Sequence, residues 1–499
     1  MKPTAEIRES VLEAAPDSDA GARLVRLLRI AIALVLVAIP LRIVALGWMP
    51  RDDVRRHAAK AVSGKEWPEI LLLRPEAQLD LHPGWHTLLE WAHRAGATTP
   101  RALAILSVAA LAALFLAVPA FRFRRAEAWV LALLAVAVLE PNFFPRLLSG
   151  RPLVLAMTVL VLLLLDWKRF RAEPGPRIGA AVWIAVFALV SWAHGNWYLW
   201  LLPLTLFFVA GERRAGLRIG GCWAAGTVLG AALTGHPFAY LAQWLSTVFW
   251  SLGSHDSMRQ LATEFQPGQG AGALVLAVLI LLAVRQGRGT GSVLRDPVYL
   301  VALAGWVLGL AVSRFWSDWG LPALLVWGAR EIETILDRQP RRLASVLLVA
   351  GCATMALFLA LTGNRGDRWA ANEDGRHLRY DEAAIRPWLP DAGGVLYSNS
   401  MGIFYDTFFE NPGAPFRYAV GFEPGLMPAD ELAVFRDIQR SGSADAAFQP
   451  WVARLRPSDR IAIARPGGPA PGIPELAWTE AFSGLWLGRK IAPTPAAAP

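Results

Sequence analysis

Long, almost uncharged apolar runs recur through the first three quarters of the chain, and any fold must bury or immerse each of them. The first, "RIAIALVLVAIPLRIVALG", runs from Arg29 to Gly47. About 20 apolar residues in helical conformation cross a bilayer, and a helix satisfies its own backbone there. Segments of this kind lie near 29–48, 102–120, 126–143, 152–167, 178–193, 196–211, 218–235, 271–285, 297–313, 319–335 and 343–362, which predicts about eleven spans. Charged residues make up 18% of the chain, below the roughly 25% of a soluble domain. The expected fold class is an α-helical polytopic membrane protein.

Basic residues orient the spans. The loops "RFRR" (Arg122–Arg125), "KRFRAEPGPR" (Lys168–Arg177), "ERRAGLR" (Glu212–Arg218), "RQGRGTGSVLR" (Arg285–Arg295) and "DRQPRR" (Asp337–Arg342) each hold three or four Lys or Arg. The loops between them hold two at most. The positive-inside rule places these five in the cytoplasm, together with an N-terminal segment, residues 1–28, that leads to a basic flank at Arg23, Arg26 and Arg29. The net charge of +9 therefore reads as membrane orientation, and no nucleic-acid partner is expected. The first span reads as an uncleaved signal anchor, because no small-residue cleavage site follows it. The expected location is a bacterial inner membrane, N-terminus in the cytoplasm and C-terminus in the periplasm. Cys222 and Cys352 both fall in apolar segments, which argues against a disulfide framework or a cysteine metal site.

This orientation puts all eight histidines (His57, His82, His86, His93, His194, His236, His255 and His377) on the outer side. Asp52 and Asp53 join them in "WMPRDDVRRHAA". The membrane domain is expected over 29–362, with a first periplasmic loop over 49–100 that is too long for a bare connection. Within it "WPEILLLRPEA" and "HPGWHTLLEWAHRAG" have the spacing of interfacial amphipathic helices, the second with Trp85, Leu88, Leu89 and Trp91–Ala92 on its apolar face. Residues 363–499 change composition and predict a small periplasmic α/β domain ending in a disordered "APTPAAAP" tail. There "GGVLYSN" and "RIAIARP" read as strands and "ADELAVFRDIQR" as a helix. "SNSMGIFYDTFFENPG" reads as domain core plus a docking surface.

Asp52 and Asp53 are adjacent carboxylates at a low-dielectric boundary. Such a pair can take a proton from an alcohol as general base, or cap an interfacial helix. Arg146, Arg151 and Arg314 stand at outer helix ends. A planar guanidinium there suits a diphosphate or phosphate head group, but it also snorkels to lipid headgroups, and Arg314 has Asp318 close by to pair with. His82, His194 and His236 sit beside aromatic residues as substrate contacts or as ordinary hydrogen-bonding groups. No zinc spacing, phosphate-binding glycine loop, dinucleotide fingerprint or serine elbow is present. No cofactor is expected, and a divalent metal has no motif to support it. If a group is transferred, its donor must be presented outside, and a lipid-linked donor fits that constraint.

An inward N-terminus, a long outer loop opening on an acidic pair and a later His-Pro before an aromatic, leucine-rich helix together resemble the GT-C superfamily of integral-membrane glycosyltransferases. The pair is Asp52-Asp53 and the later motif His82-Pro83, and the likeness covers about residues 25–340. It implies a polyprenyl-phosphate sugar donor, inverting transfer, Asp52 or Asp53 as catalytic base, and Arg151 and Arg314 on the donor phosphate. The acceptor would be a glycan, lipid or protein. Arg55 and Arg56 stand where the family commonly has aromatic residues. The Trp-Trp-Asp signature of oligosaccharyltransferases is missing, which argues against protein N-glycosylation. Two other readings fit the topology, a flippase for a polyprenyl-linked glycan and a non-catalytic subunit of an envelope polysaccharide assembly. The near absence of charge in mid-span favours the enzyme over the transporter.

Overall fold

The structure, a computed structural model, describes residues 19–50, 53–171, 177–253, 266–268, 274–275, 277–278, 281, 293–338, 343–363, 371–372 and 377–491. Asp52, His255, most of the 271–285 segment and the "APTPAAAP" tail lie outside them. The chain divides into two compact units. One comprises Met1–Met49, Ile105–Gly235 and Arg259–Ala370; the other comprises Pro50–Ala104, His236–Met258 and Ala371–Pro499.

The first unit is helical because its segments are apolar all round, without a polar face. Among the described residues three helices, Ala22–Ala45, Pro100–Arg122 and Ala344–Thr362, are long and apolar enough to cross a membrane. Five shorter apolar helices run 10–17 residues: Ala126–Leu139, Leu153–Asp166, Gly179–His194, Trp197–Val209 and Pro297–Gly309. Leu34, Val228 and Leu348 turn large apolar side chains outward, as lipid-facing helices do. Inside, small residues set the contacts. The Arg213–Ala232 helix lies against the Arg177–His194 helix through Gly226 and Gly230, where a Cβ would come within 2.7 Å of the Ile184 carbonyl and 2.5 Å of the Ala188 carbonyl. This is the small-xxx-small device by which helices approach where no hydrophobic effect drives them together. Gly305 and Gly309 do the same for a π-helical turn, Trp316–Gly320, that precedes the Leu321–Asp337 helix and carries Asp318.

The second unit holds a five-stranded sheet. Its strands are β1 (Val395–Ser398), β2 (Arg417–Tyr418), β3 (Arg460–Ala464), β4 (Leu476–Phe482) and β5 (Leu485–Lys490), in the order β2-β1-β3-β5-β4. β1 pairs in parallel with β2 and β3, and β5 runs antiparallel to β3 and β4. β1 is buried along its whole length, as expected of a strand covered on both faces. The Met401–Glu410 helix starts where Ser400 Oγ accepts the Gly402 N–H at 3.1 Å, and it packs Phe404 and Phe408 on Tyr418 and Leu396. Trp67, Ile70 and Leu71 enter this same core, so residues from the first loop and from the C-terminal region share one set of packed side chains.

Two local expectations change. "WPEILLLRPEA" forms only one helical turn, Trp67–Ile70. Leu71 then extends, bridging Tyr418 in parallel, and Leu72 N–H donates to the Tyr418 carbonyl at 2.9 Å. Its leucines serve a sheet edge, and Pro75 stands against helix continuation. The "HPGWHTLLEWAHRAG" helix is present as Pro83–Arg94, but its buried face is Gly84, Trp85, His86 and Leu89, with Trp91 more than half exposed. The Pro237–Gly253 helix lies outside the expected spans.

Candidate active site

The second unit gathers two polar clusters on the Asp53–Ser63 helix. Asp53 opens that helix, and its Oδ1 accepts from Arg56 Nε and from the Tyr405 hydroxyl, each at 2.8 Å. Arg56 is buried, with its guanidinium 3.9 Å from the Phe422 ring centre. Burial opposes the charge on Arg56, but the Asp53 carboxylate outweighs it and raises the guanidinium pKa. The neighbouring Arg55, also buried, donates to the Pro50 carbonyl at 3.1 Å and pairs with Asp406 at 2.5 Å. The Met401–Glu410 helix presents Tyr405 and Asp406 side by side to two consecutive arginines.

One turn beyond Asp53 on the same helix face stands His57, fully buried. Its Nδ1 lies 2.8 Å from His86 Nε2, and His86 Nδ1 lies 2.5 Å from Asp80 Oδ2. Asp80 Oδ1 accepts from His82 N–H at 2.9 Å and Trp67 Nε1 at 3.2 Å. Burial alone would raise the Asp80 carboxyl pKa; the His86 imidazole and the His82 N–H outweigh it and hold the group well below the usual carboxylate range. The His82 ring packs edge-on to His57, 4.9 Å between centres, and on Trp244 at 5.8 Å. From the Pro237–Gly253 helix, the Gln243 amide accepts Leu79 N–H at 3.1 Å and donates to the Leu79 carbonyl at 2.8 Å, which fixes the segment carrying Asp80.

The chain Asp80–His86–His57 has a definite proton logic. An ionised Asp80 accepts the His86 Nδ1–H. A single proton then lies between His86 Nε2 and His57 Nδ1, on one ring or the other. The chain can therefore hold a proton on either imidazole with little movement of heavy atoms. Among the described residues no group of three or more His, Cys, Asp or Glu has the arrangement of a metal site.

The sequence-derived candidates fall differently. Asp53 and His82 belong to the clusters above. Arg146 is engaged in the first unit: its Nε and Nη2 both bind the buried Asp318 carboxylate, the second at 2.8 Å, and Arg314 Nε lies 3.5 Å from the same group. The alternative reading of Arg314, a pairing with Asp318, is thus present, with Arg146 as the tighter partner. Arg151, half-buried, precedes the Leu153–Asp166 helix; His194 is buried at the end of its helix, and His236 is exposed just before the Pro237–Gly253 helix. Asp80, His57, His86, Tyr405 and Asp406 escape a sequence reading of the site. The signals available are the outer-side placement of His57 and His86, the nearness of Asp80 to His82-Pro83, and the mixture of aromatic and acidic residues in "SNSMGIFYDTFFENPG".

No family model matches the chain, and no curated protein matches it. Among solved structures, the chain is similar to the cryo-EM structure of a mutant of the arabinofuranosyltransferase AftD from Mycobacteria. The two share 16% identity at a TM-score of 0.49, over 94% of this chain and 41% of that one. The chain therefore spans less than half the length of that protein.

Proposed function

We propose that the chain is a membrane glycosyltransferase. It moves a sugar from a polyprenyl-phosphate-linked donor to an acceptor hydroxyl at the outer, periplasmic surface of a bacterial inner membrane. One observation carries this reading: a single helix of the loop that follows the first apolar helix holds both a positioned carboxylate, Asp53, and the end of an imidazole chain, His57. Apolar helices and a sequence without a nucleotide-binding motif support an outer, lipid-linked donor.

In the proposed reaction the acceptor oxygen attacks the anomeric carbon, and its proton passes to the carboxylate of Asp52 or Asp53. The bond from that carbon to the donor phosphate oxygen breaks, the phosphate leaves with the electron pair, and the configuration inverts. Arg56 and Tyr405 keep the Asp53 carboxylate oriented. His57 offers the proton a route from the site. Arg151 and Arg314 are assigned to the donor phosphate, with His82, His194 and His236 as further substrate contacts.

The test uses the full chain in nanodiscs with a panel of polyprenyl-phosphate sugars and separate Asp52→Asn and Asp53→Asn variants. The expected result is transfer by the parent and a loss of about 10²–10⁴-fold in kcat in one variant that still folds. Undiminished turnover in both would remove the acidic pair from the chemistry. Binding of lipid-linked glycan without any turnover would turn the reading to a transporter or an assembly subunit.

A further inference from the structure

A cavity of about 890 Å³ opens in the second unit, and none of the candidate site residues lines it. It lies where the end of the Met401–Glu410 helix, the end of β4, the stretch 377–385 and Thr99–Arg101 meet. Its size is within the range of about 300–1,000 Å³ for small-molecule sites.

The lining is charge-balanced. Arg101 and Arg379 stand against Glu382 and Glu410. Arg379 Nε lies 3.4 Å from Glu410 Oε2, with the Arg379 side chain 61% exposed, so this pair is open to exchange partners with a ligand. Phe409 and Phe482 add two aromatic surfaces, and His377 a group that can donate or accept. These features discriminate among ligands. A phosphate or nucleotide would meet two carboxylates along with the arginines. A cation would meet two guanidinium groups. An acyl chain would take solvation from four charged groups and return no hydrogen bond. A neutral polyhydroxyl compound satisfies every element: its hydroxyls donate to the carboxylates and accept from the guanidinium groups, while a sugar ring lays its C–H face on phenylalanine.

The cavity also touches the candidate active site through one ring. The Arg55 guanidinium lies 5.3 Å from the centre of Phe409, and Arg55 follows Asp53 by two residues while pairing with Asp406. We infer that this cavity binds a neutral saccharide and serves as the subsite for the acceptor glycan. The acceptor role rests on the glycosyltransferase reading above; saccharide binding itself does not.

The test is equilibrium binding of neutral tetrasaccharides (maltotetraose, cellotetraose and mannotetraose) to the full chain in nanodiscs without any donor lipid, with tetragalacturonate as the anionic control. Variants are Glu382→Gln and Arg379→Gln, both at exposed positions that should fold, and Asp53→Asn. The expected result is saturable binding of at least one neutral saccharide, weaker by about ten- to a hundredfold in the two cavity variants and less affected in Asp53→Asn. Absence of binding across the neutral panel overturns the inference. So does preference for the anionic sugar, or binding that neither cavity variant weakens. Because no donor is present, a failure of the transfer reaction leaves this result standing, and a failure here leaves the transfer reaction to its own assay. If both hold, the cavity variants raise the acceptor KM while Asp53→Asn lowers kcat.

Discussion

Both units place carboxylates among buried polar partners, and the Asp318 site of the first is built differently from the Asp53 and Asp80 sites of the second. In the first unit, Asp318 sits on a π-helical turn with Arg146 on both carboxylate oxygens, Arg314 at 3.5 Å and Ser317 Oγ at 3.1 Å. Its cationic partners are guanidinium groups, which keep their protons throughout the accessible pH range. In the second unit, Asp80 binds an imidazole that passes on to a second imidazole, and Asp53 binds a phenol beside the Arg56 guanidinium. Asp318 is buried and Asp80 and Asp53 are largely so, which makes burial a poor guide to chemistry. The distinguishing property is the further partner: guanidinium groups and a hydroxyl close the first knot of charge, whereas imidazoles and a phenol, groups able to exchange protons, extend the second.

The largest expected effect tests the closed knot. Removing Asp318 strands Arg146 in a site where its side chain is only 12% exposed. Leaving a buried partner uncompensated costs about 3–5 kcal/mol. Asp318→Ala should therefore lower the unfolding midpoint in nanodiscs strongly, while Asp53→Asn, which keeps an oxygen to accept from Arg56 and Tyr405, should lower it less. Should Asp318→Ala keep its midpoint and lose only donor affinity, the first knot would be a ligand site and the contrast would fail.

An intermediate effect concerns Asp80. Its carboxyl pKa lies below the unfolded value of about 3.9, so its contribution to stability is present above that pH and is lost as pH falls through the lowered folded value. The parent should lose stability on acidification below about pH 4 in part through this group. Asp80→Asn should cost about 1–3 kcal/mol at neutral pH and flatten that acid limb. Unfolding midpoints measured from pH 3 to 7 decide it; an equally steep limb in the variant would mean that Asp80 is not the group being protonated.

How far the sequence foretold this depends on distance along the chain. The helix in "ADELAVFRDIQR" stands over Ala429–Arg440, and the strands in "GGVLYSN" and "RIAIARP" over Val395–Ser398 and Arg460–Ala464, because local periodicity and turn residues decide such elements. Asp53 and His82 were legible for a similar reason, as each opens a helix. Tyr405 was not: it meets Asp53 across 352 residues, and no spacing rule spans that interval. His57 and His86 could be placed on the outer side, but the contact that makes them a proton chain joins residues 29 apart through folding of the whole loop. The failure of "WPEILLLRPEA" as a full helix has the same origin, because its leucines answer to Tyr418 rather than to their own neighbours.

The smallest effect on stability is the sharpest for the comparison. Arg314 is 33% exposed and 3.5 Å from Asp318, a carboxylate that Arg146 already holds through two nitrogens. Such a half-exposed second partner contributes less than about 1 kcal/mol. Arg314→Gln should shift the unfolding midpoint little, and Arg146→Gln should shift it far more, since only the latter leaves Asp318 without its main counter-charge. If Arg314 serves the donor phosphate, the same Arg314→Gln variant should raise the donor KM by about tenfold or more while the fold is kept. A midpoint shift in Arg314→Gln equal to that of Arg146→Gln would assign both arginines to the closed knot. The donor phosphate would then have to be held elsewhere, with Arg151 as the remaining basic candidate.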